Sequence, residues 1–373
     1  MKILHIITKF DTIYGAQKHV IECIKNHLDK KHECVVFAGT NGVASAQIEG
    51  LGVNVILIPS LKNTYNILFD IKALFEINKQ INLCKPDLVI SHSTKAGVLS
   101  RIICFLKKIP NLFTVQGWSF EKGAPYFQQF AGKWIETIIK PITDSYFCVS
   151  NNTAIFGEKV LNIKSNKIYV CPNLHENVLP TISTKLTKNV LMVAGFRTQK
   201  DHLTALKAIN LLVNEQKTTD LHFTFIGDGP QRGKIEKYIE SNQLNKYITL
   251  VGETNDMGSY YQNCDIVILP TFYEGLPLCL IEALQYGKPA IATDVGGVNE
   301  IIKDGVNGNI IAPNDFIGLA TLITKYYQEN LIESMSLESR TLYSEMYDYE
   351  KVSYKLNEIL QLSVENSIFS IHK

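Results

Sequence analysis

Short apolar segments rich in β-branched residues alternate with longer segments of helical periodicity along most of this 373-residue chain. The short segments are apolar on both faces, which favours parallel strands in a sheet that helices cover on both sides. The alternation stops over residues 172–188, where two prolines and several polar residues are typical of a linker, assigned to 173–187, and then resumes. The sequence therefore predicts an α/β fold with two doubly wound parallel-sheet domains in tandem.

The predicted elements divide the chain into four segments. The first domain, 1–172, has predicted strands at 2–8, 33–38, 53–58, 87–91, 111–115, 145–149 and 167–171, and helices at 15–29, 65–83, 95–107, 125–142 and 150–161. After the linker, the second domain, 188–340, has strands at 188–194, 221–226, 247–251, 265–269, 289–292 and 308–311, and helices at 201–215, 230–241, 256–263, 277–286 and 315–330. We expect the helical tail, 341–373, to pack back towards the first domain.

Composition and charge exclude several classes of protein. With 46% hydrophobic and 20% charged residues, the chain is not a disordered one. Its 37 basic and 36 acidic residues give no indication of nucleic-acid binding. The first 180 residues are more basic, with 20 basic and 13 acidic side chains, which indicates either an anionic partner for that half or a chance asymmetry.

The cysteines and the lengths of the apolar segments indicate the cellular compartment in which the protein is expected. The eight cysteines form no Cys-x-x-Cys pair, as expected of reduced core residues in a cytoplasmic protein. The apolar start of the chain is too short for a signal peptide, and no uncharged apolar segment approaches the length of a membrane span, about 18 residues. We therefore expect a cytoplasmic protein that is at most peripheral to a membrane.

The stretch 265–284 carries the most informative chemistry. A buried strand is followed by a loop with Glu274 and Gly275, and Pro277 stands where the first turn of a helix is expected. The free N–H groups and the positive end of such a helix suit a phosphate. Glu282 lies in an apolar part of this helix; it is either an ordinary glutamate that meets solvent or lysine, or a carboxylate that accepts both hydroxyls of a ribose.

Glu274 and Glu282, together with the block 287–300, resemble the signature of retaining glycosyltransferases of family 4. The resemblance covers nearly the whole chain and is most specific over 252–312. It implies the GT-B fold, in which two Rossmann-like domains face each other across a cleft and the second domain holds a nucleotide-sugar donor.

The resemblance assigns the donor site to the second domain. It implies that Glu282 binds the donor ribose and that Glu274 contacts the donor sugar or its phosphates. The backbone expected to cradle the sugar and the diphosphate is that of Gly275, Leu276, Pro277 and Leu278. Gly252 and Glu253 end a strand where family members contact the nucleobase, mainly through backbone atoms.

A loop after the first strand of the second domain resembles the one that supplies a basic pair to the pyrophosphate. Lys200 is expected to stabilise the leaving diphosphate, because positive charge is needed where negative charge grows; a solvated loop lysine is the alternative. The family usually has its arginine where this chain has Gly195, so Arg197 is a catalytic candidate with an open role. Gly227 and Gly229 are assigned to the backbone geometry of a turn on the donor side.

Three loops of the first domain resemble family blocks that follow strands and face the acceptor or the donor sugar. Gly15 and Ala16 lie in a glycine-containing loop that approaches the transferred phosphate and the acceptor. His92 is either an acceptor-site residue or a satisfied structural histidine. Gln116 stands where many relatives have a histidine tied to donor-sugar contact; glutamine keeps a hydrogen bond but is no acid or base near neutral pH.

No Asp-x-Asp motif occurs, and no cluster of His, Asp and Glu has ligand spacing in the sequence. We therefore expect no metal and no other cofactor, in agreement with the GT-B class, in which protein charges replace Mg²⁺. The nucleotide sugar is a substrate.

The segment 126–140 predicts a helix with aromatic residues at Tyr126, Phe130 and Trp134, which follow one another at intervals of four. A basic, aromatic amphipathic helix suits an anionic membrane surface. The same spacing is what a helix needs to cover a sheet, and we favour packing against the core.

The sequence is therefore interpreted as that of a retaining, metal-independent glycosyltransferase. Its blocks at 91–97 and 113–120 look most like those of bacterial O-antigen, lipopolysaccharide, capsule and exopolysaccharide transferases. The expected donor is a UDP-hexose or UDP-N-acetylhexosamine, and the expected acceptor is a polyprenyl-diphosphate glycan at the inner membrane face. A nucleotide-sugar epimerase of the same fold, a nicotinamide-dependent oxidoreductase and a non-catalytic sugar-nucleotide-binding protein are the alternatives.

Overall fold

The computed structural model describes residues 1–64, 66–120, 126–182, 185–254 and 256–371. The chain forms two units, each with its own parallel sheet. Unit 1 comprises Met1–Glu176 and the C-terminal segment from Tyr349, and unit 2 comprises Asn177–Asp348. The two predicted doubly wound domains are therefore confirmed as a fold class.

Unit 1 is built on a seven-stranded sheet in which every recorded strand pair is parallel. Its strands are β1 (Lys2–Ile7), β2 (Glu33–Ala38), β3 (Asn54–Leu57), β4 (Leu88–Ser91), β5 (Asn111–Val115), β6 (Ser145–Cys148) and β7 (Ile168–Val170). Its first six helices are α1 (Gly15–Asp29), α2 (Val43–Glu49), α3 (Ile67–Cys84), α4 (Thr94–Lys107), α5 (Tyr126–Ile139) and α6 (Asn151–Leu161). The strand order is β3-β2-β1-β4-β5-β6-β7.

Unit 2 has a six-stranded sheet in which each pair of neighbouring strands is parallel. Its strands are β8 (Asn189–Val193), β9 (His222–Ile226), β10 (Ile248–Gly252), β11 (Ile266–Leu269), β12 (Ala290–Thr293) and β13 (Gly308–Ile311). Its helices are α7 (His202–Asn210), α8 (Arg232–Ser241), α9 (Met257–Gln262), α10 (Leu278–Gln285), α11 (Val298–Ile301), α12 (Phe316–Gln328) and α13 (Leu331–Leu342). The strand order is β10-β9-β8-β11-β12-β13.

The last helix, α14 (Tyr349–Ile371), belongs to unit 1. Its residues Val352, Leu356 and Leu360 are buried with Cys171 and Leu174 in one apolar cluster. The Asn26 side chain of α1 also donates a hydrogen bond to the Ser353 hydroxyl. No helix within the described ranges is both long and apolar enough to cross a bilayer.

In both sheets the strand order reverses between two neighbouring strands, β1 and β4 in unit 1 and β8 and β11 in unit 2. The loops that leave the carboxyl ends of such a pair diverge and open a crevice, which is where ligands bind in open α/β sheets. This topology places the loops after β8 and β11 side by side, and likewise those after β1 and β4.

The predicted strands and helices correspond closely to the observed ones, with two short helices missed. α2 and α11 have 7 and 4 residues, too few for a clear helical period in the sequence. The helix predicted at 125–142 ends at Ile139, because a 3₁₀ turn with Pro141 at its start follows. All eight cysteines lie within the described ranges, none forms a disulfide, and six are buried, as expected of reduced core residues.

The expectation that the aromatic side chains of α5 face the core is wrong. Phe127, Phe130, Trp134 and Ile138 are all exposed. The face of α5 that packs inwards instead carries Glu136, which is buried. The helix is amphipathic, as its sequence predicts, but its aromatic face points towards solvent.

Four histidines are buried together in unit 1. His5 on β1, His19 and His27 on α1, and His92 directly after β4 are each less than 5% exposed. His5 Nδ1 lies 2.9 Å from His92 Nε2, and His5 Nε2 lies 3.2 Å from His27 Nδ1. Burial lowers the pKa of all four imidazoles, that of His19 to about 3, and the neighbouring rings add to this for His5, His27 and His92.

These depressed pKa values make the stability of unit 1 sensitive to acid. The folded state keeps the four rings neutral, whereas each ring of the unfolded chain binds a proton near its ordinary pKa of about 6.5. The free energy of unfolding is therefore expected to be retained above pH 7 and to fall below about pH 6.5, by up to about 1.4 kcal/mol per pH unit for each histidine.

Urea unfolding between pH 7.5 and 5.5 measures this dependence. The slope is expected to become shallower in a His27→Gln variant and to stay unchanged in a His222→Gln variant, since His222 lies outside the cluster. Equal slopes in the two variants would show that the buried rings do not control the acid response.

Candidate active site

Lys200 and Glu274 form an ion pair where the strand order of unit 2 reverses. Lys200 ends the 3₁₀ turn Thr198–Lys200 that follows β8, and Glu274 lies in the loop between β11 and α10. The Lys200 Nζ contacts Glu274 Oε1, and the two side chains are 21% and 9% exposed. The topology thus brings together, across 74 residues of sequence, two of the three residues that were predicted to be catalytic.

The ion pair holds Lys200 in its charged form in largely buried surroundings. Burial opposes the charge of Lys200, but the Glu274 carboxylate outweighs it, and the pKa of Lys200 is raised above its ordinary value. The Thr271 hydroxyl donates a second hydrogen bond to Glu274 Oε1, at 3.0 Å. Both groups are therefore held in place before any ligand binds.

Gln199 fixes the two loops to each other, a role that the sequence analysis missed. Its side-chain Nε2 donates to the Tyr273 carbonyl at 2.6 Å, and its own carbonyl accepts from the Phe272 N–H at 2.9 Å. The same carbonyl lies 3.0 Å from the Thr271 hydroxyl and shares the single proton of that hydroxyl with Glu274 Oε1. Because Gln199 directly precedes Lys200, these bonds set the distance between Lys200 and Glu274. No sequence pattern separates such a glutamine from an ordinary loop residue.

The helix after the Glu274 loop begins one residue later than predicted. Pro277 is extended, with a ψ of 115°, and caps α10, whose first residue is Leu278. Leu276, Pro277 and Leu278 are buried. The first N–H groups of α10 have no carbonyl partner within the helix, and with the helix dipole they suit an anion.

Gly296 packs directly against the backbone of Glu274. A Cβ at this position would overlap the Glu274 carbonyl oxygen, and the φ of +52° is one that favours glycine. The next residue supports the same loop, since the Gly297 N–H donates to the Gly275 carbonyl at 2.8 Å. The glycine pair of the 287–300 block therefore shapes the Glu274 loop.

Glu282 is held by a tyrosine. The Tyr261 hydroxyl donates to Glu282 Oε2 at 2.8 Å, and Glu282 is 7% exposed. The Cys279 thiol is close enough to Lys200, Glu274 and Glu282 to sense all three charges. Its pKa is raised to about 12, mainly by burial; the two carboxylates add to the rise and Lys200 opposes it. Glu282, Glu274 and Lys200 therefore share one electrostatic neighbourhood.

Arg197 is exposed and lies at the start of the 3₁₀ turn that ends in Lys200. The pKa values of Lys200 and Tyr273 are both raised overall, mainly by Glu274 for Lys200 and by burial for Tyr273, and the nearby charge of Arg197 offsets a small part of each rise. Arg197 therefore adds positive charge to the same loop pair, and its role stays a prediction.

The two glycines after β9 are required by close backbone contacts. A Cβ at Gly227 would overlap the Ala194 carbonyl oxygen, and one at Gly229 would lie 2.6 Å from the Phe196 carbonyl oxygen. The Gly227 N–H also donates to the Gly252 carbonyl at 2.9 Å, which joins the ends of β9 and β10. Glu253 follows Gly252 and is exposed.

The predicted residues of unit 1 fall into two places. His92 and Gln116 line one cavity of about 80 Å³ at the carboxyl ends of β4 and β5. Gln116 Nε2 donates to Asn173 Oδ1 at 3.0 Å. Gly15 and Ala16 begin α1 after β1 and are not among the residues that line this cavity.

One group of described residues has the chemistry of a metal site. Ligand atoms of His5, His27 and Cys34 lie within 4.8 Å of one another. They are buried beside the sheet of unit 1 and come from β1, α1 and β2, so the sequence spacing gave no sign of them. In the structure a ring nitrogen of His5 lies 3.2 Å from a ring nitrogen of His27, so the two rings form a hydrogen bond with each other. The expectation that activity needs no metal stays a prediction.

The contact between Gly296 and Glu274 predicts the effect of an added methyl group. We expect Gly296→Ala to displace the Glu274 loop and to weaken the binding of UDP, the nucleotide of the donor expected from the sequence, about ten-fold or more, because the methyl has no room. Gly305→Ala is the matched control, since Gly305 also has a positive φ, +76°, but faces open space. Titration calorimetry measures the affinity, and equal losses in both variants would point to backbone strain alone.

Two family models match the chain, one on each half. Residues 13–174 match the model described as glycosyltransferase family 4, and residues 182–341 match the model described as glycosyl transferases group 1. The two matched ranges follow the two observed units.

Individual relatives agree with these models. The chain is 27% identical to the Escherichia coli UDP-Gal:α-D-GlcNAc-diphosphoundecaprenol α-1,3-galactosyltransferase, over 77% of this chain and 78% of the relative. It is 24% identical to a Campylobacter jejuni α-1,4-N-acetyl-D-galactosaminyltransferase named for an undecaprenol-diphosphate-linked glycan, over 86% and 87% of the two chains.

A solved structure shows the same fold over nearly the whole chain. The Anabaena protein HepE in complex with UDP-glucose superposes with a TM-score of 0.83 and 17% identity, covering 97% of this chain and 99% of that one. Two Rossmann-like units, a family 4 first domain and a group 1 second domain thus occur together. The chain is therefore a glycosyltransferase with the GT-B fold, whose first half matches the family 4 model and whose second half matches the group 1 model.

Proposed function

We propose that this glycosyltransferase transfers a hexose or N-acetylhexosamine from a UDP-sugar to a polyprenyl-diphosphate-linked glycan, with retention of configuration and without a metal ion. The observation that carries the proposal is the Lys200–Glu274 ion pair beside the start of α10, at the point where the strand order of unit 2 reverses. The reaction belongs to the synthesis of bacterial surface polysaccharides, in the cytoplasm at the inner membrane face.

Unit 2 would hold the donor. Lys200 and the first N–H groups of α10 stabilise the charge that grows on the leaving diphosphate. Glu274 accepts hydrogen bonds from the hydroxyls of the donor sugar, and Lys200 is shared between Glu274 and the phosphate. Glu282, oriented by the Tyr261 hydroxyl, accepts both hydroxyls of the ribose.

The transfer would proceed on one face of the sugar. The bond between the anomeric carbon and the diphosphate oxygen breaks, the acceptor oxygen bonds to the same face, and its proton passes to a phosphate oxygen of the donor. We favour this route over a covalent glycosyl intermediate, because the Glu274 carboxylate is engaged by Lys200 and Thr271 and is therefore a weak nucleophile. The α linkage named for the Escherichia coli relative supports retention.

The acceptor would belong to unit 1, where His92 and Gln116 line a cavity. The two relatives named for diphosphoundecaprenol acceptors support a lipid-linked glycan. The nicotinamide alternative relied on the turn with Gly227 and Gly229, and the close backbone contacts of both glycines account for that turn without a dinucleotide.

A screen of nucleotides tests the donor and the metal requirement together. We expect UDP and UDP-sugars to raise the melting temperature of the purified protein in the presence of EDTA, with slow hydrolysis to free sugar. GDP-, ADP- and dTDP-sugars are the controls. A shift with NAD instead of any nucleotide sugar would contradict the proposed function, and a shift that appears only with Mg²⁺ would contradict metal independence.

Substitution of the charged residues tests their roles. Lys200→Ala, Glu274→Ala and Glu282→Ala are each expected to lower turnover about 10²-fold or more, or to weaken donor binding correspondingly. Lys234→Ala is the matched control, because Lys234 is an exposed lysine of the same unit. Steady-state kinetics with the identified donor separates kcat from KM, and near-native kinetics in the three variants would exclude this site.

A further inference from the structure

We propose that the outer face of the layer formed by α3, α4 and α5 is a docking surface for an anionic lipid bilayer. The choice of a bilayer as the occupant rests on the proposed function, in which the acceptor is membrane-linked. The surface itself is defined by the exposed apolar and basic side chains of these three helices, and we refer to it as the α3–α5 face.

The aromatic face of α5 is exposed although the helix is firmly anchored. Phe127, Phe130, Trp134 and Ile138 are 60–69% exposed. They recur at intervals of three and four residues and thus lie on one side of the helix. Leaving such a face in water is unfavourable, and its exposure indicates an interaction surface.

The contacts on the inward side of α5 fix the orientation of the helix and thereby keep its aromatic side chains exposed. Glu136 accepts two hydrogen bonds from Arg101, at 2.5 and 2.9 Å, and a third from the Tyr146 hydroxyl at 2.9 Å. Gly132 faces Ser119, with no room for a larger side chain. Turning α5 to bury its aromatic residues would expose these contacts and leave the Arg101 charge buried without its partner.

The neighbouring helices extend the apolar surface. α4 packs against both α3 and α5. Phe105 and Leu106 near the end of α4 are exposed. So are five apolar side chains of α3: Ile67, Leu68, Ile71, Phe75 and Leu83. Three adjacent helices therefore each present large apolar side chains to solvent, and the apolar surface extends beyond the aromatic face of α5.

The charges on these helices match an anionic surface. Lys72, Lys79 and Lys133 are exposed, as is Lys108 directly after α4. The acidic residues within α3, α4 and α5 are all at least partly buried and paired: Asp70 with Lys95, Glu76 with Ser60 and Lys72, and Glu136 with Arg101. Exposed lysines between exposed aromatic and aliphatic residues are what an interfacial helix presents to anionic headgroups.

Vesicle co-sedimentation tests the proposal with the full chain. We expect binding to vesicles of phosphatidylcholine with 30% phosphatidylglycerol, and binding at least ten-fold weaker with phosphatidylcholine alone or in high salt, because the lysines supply the charge dependence. A variant with Phe130→Ser, Trp134→Ser and Ile138→Ser is expected to bind at least ten-fold more weakly. A Leu203→Ser, Ile317→Ser variant, which changes exposed apolar residues of unit 2, is the control and keeps native binding.

Fluorescence gives an independent readout. The chain has two tryptophans, of which Trp118 is 4% exposed and Trp134 is 60% exposed. A blue shift of the emission on vesicle binding, and quenching by brominated lipid, would therefore come from Trp134. A Trp134→Phe variant is expected to sediment with vesicles without giving these signals.

The outcomes separate this proposal from the proposed function. UDP affinity and transfer to a short-chain, water-soluble acceptor are expected to be unchanged in the triple serine variant, which also shows that it is folded. Transfer without vesicle binding in the native protein would overturn the docking surface alone, and vesicle binding without transfer would overturn the function alone. A concentration-dependent dimer that the triple substitution abolishes would overturn the bilayer in favour of a second copy of the chain.

Discussion

The Lys200–Glu274 ion pair depends on two loops being held side by side, and most of unit 2 serves that arrangement. Parallel strands deliver all their carboxyl ends to one edge of the sheet, and the reversal of strand order between β8 and β11 makes their loops diverge there. Gln199 then ties the loops together, while Gly296 gives the Glu274 backbone room that no other residue would leave. An ion pair this dry is stable only where such contacts hold both partners.

The sequence predicted the general layout of this site because local patterns encode it. Strand–helix alternation predicts the parallel sheets, and Glu274, Gly275 and Pro277 together mark a loop that enters a helix. Gln199, Thr271 and Tyr261 escaped prediction because their partners are distant in sequence: the hydroxyl of Tyr261 meets Glu282, 21 residues away, and Gln199 reaches Tyr273, 74 residues away. Such pairs exist only once the fold has formed.

α5 shows a different limit of sequence reasoning. Helical periodicity establishes that a helix has two faces, but it does not say which of them is buried. The usual answer, apolar inwards, fails here because Arg101 and Tyr146 offer Glu136 three hydrogen bonds from inside the unit. A lone glutamate in an aromatic helix gave no sign of these partners, which lie 35 residues before it and 10 residues after it.

The buried imidazoles of His92, His5 and His27 have a consequence for proton placement. Each neutral ring carries one N–H, so the two bonds centred on His5 allow only two consistent sets of tautomers. In one set His92 Nδ1 bears a proton and His27 Nε2 is bare; in the other set the reverse holds. Neither of these terminal nitrogens has a partner among the described residues. A group that bonds His92 Nδ1 therefore fixes the tautomer of all three rings, and the same nitrogen can serve as a donor or as an acceptor without any change in net charge.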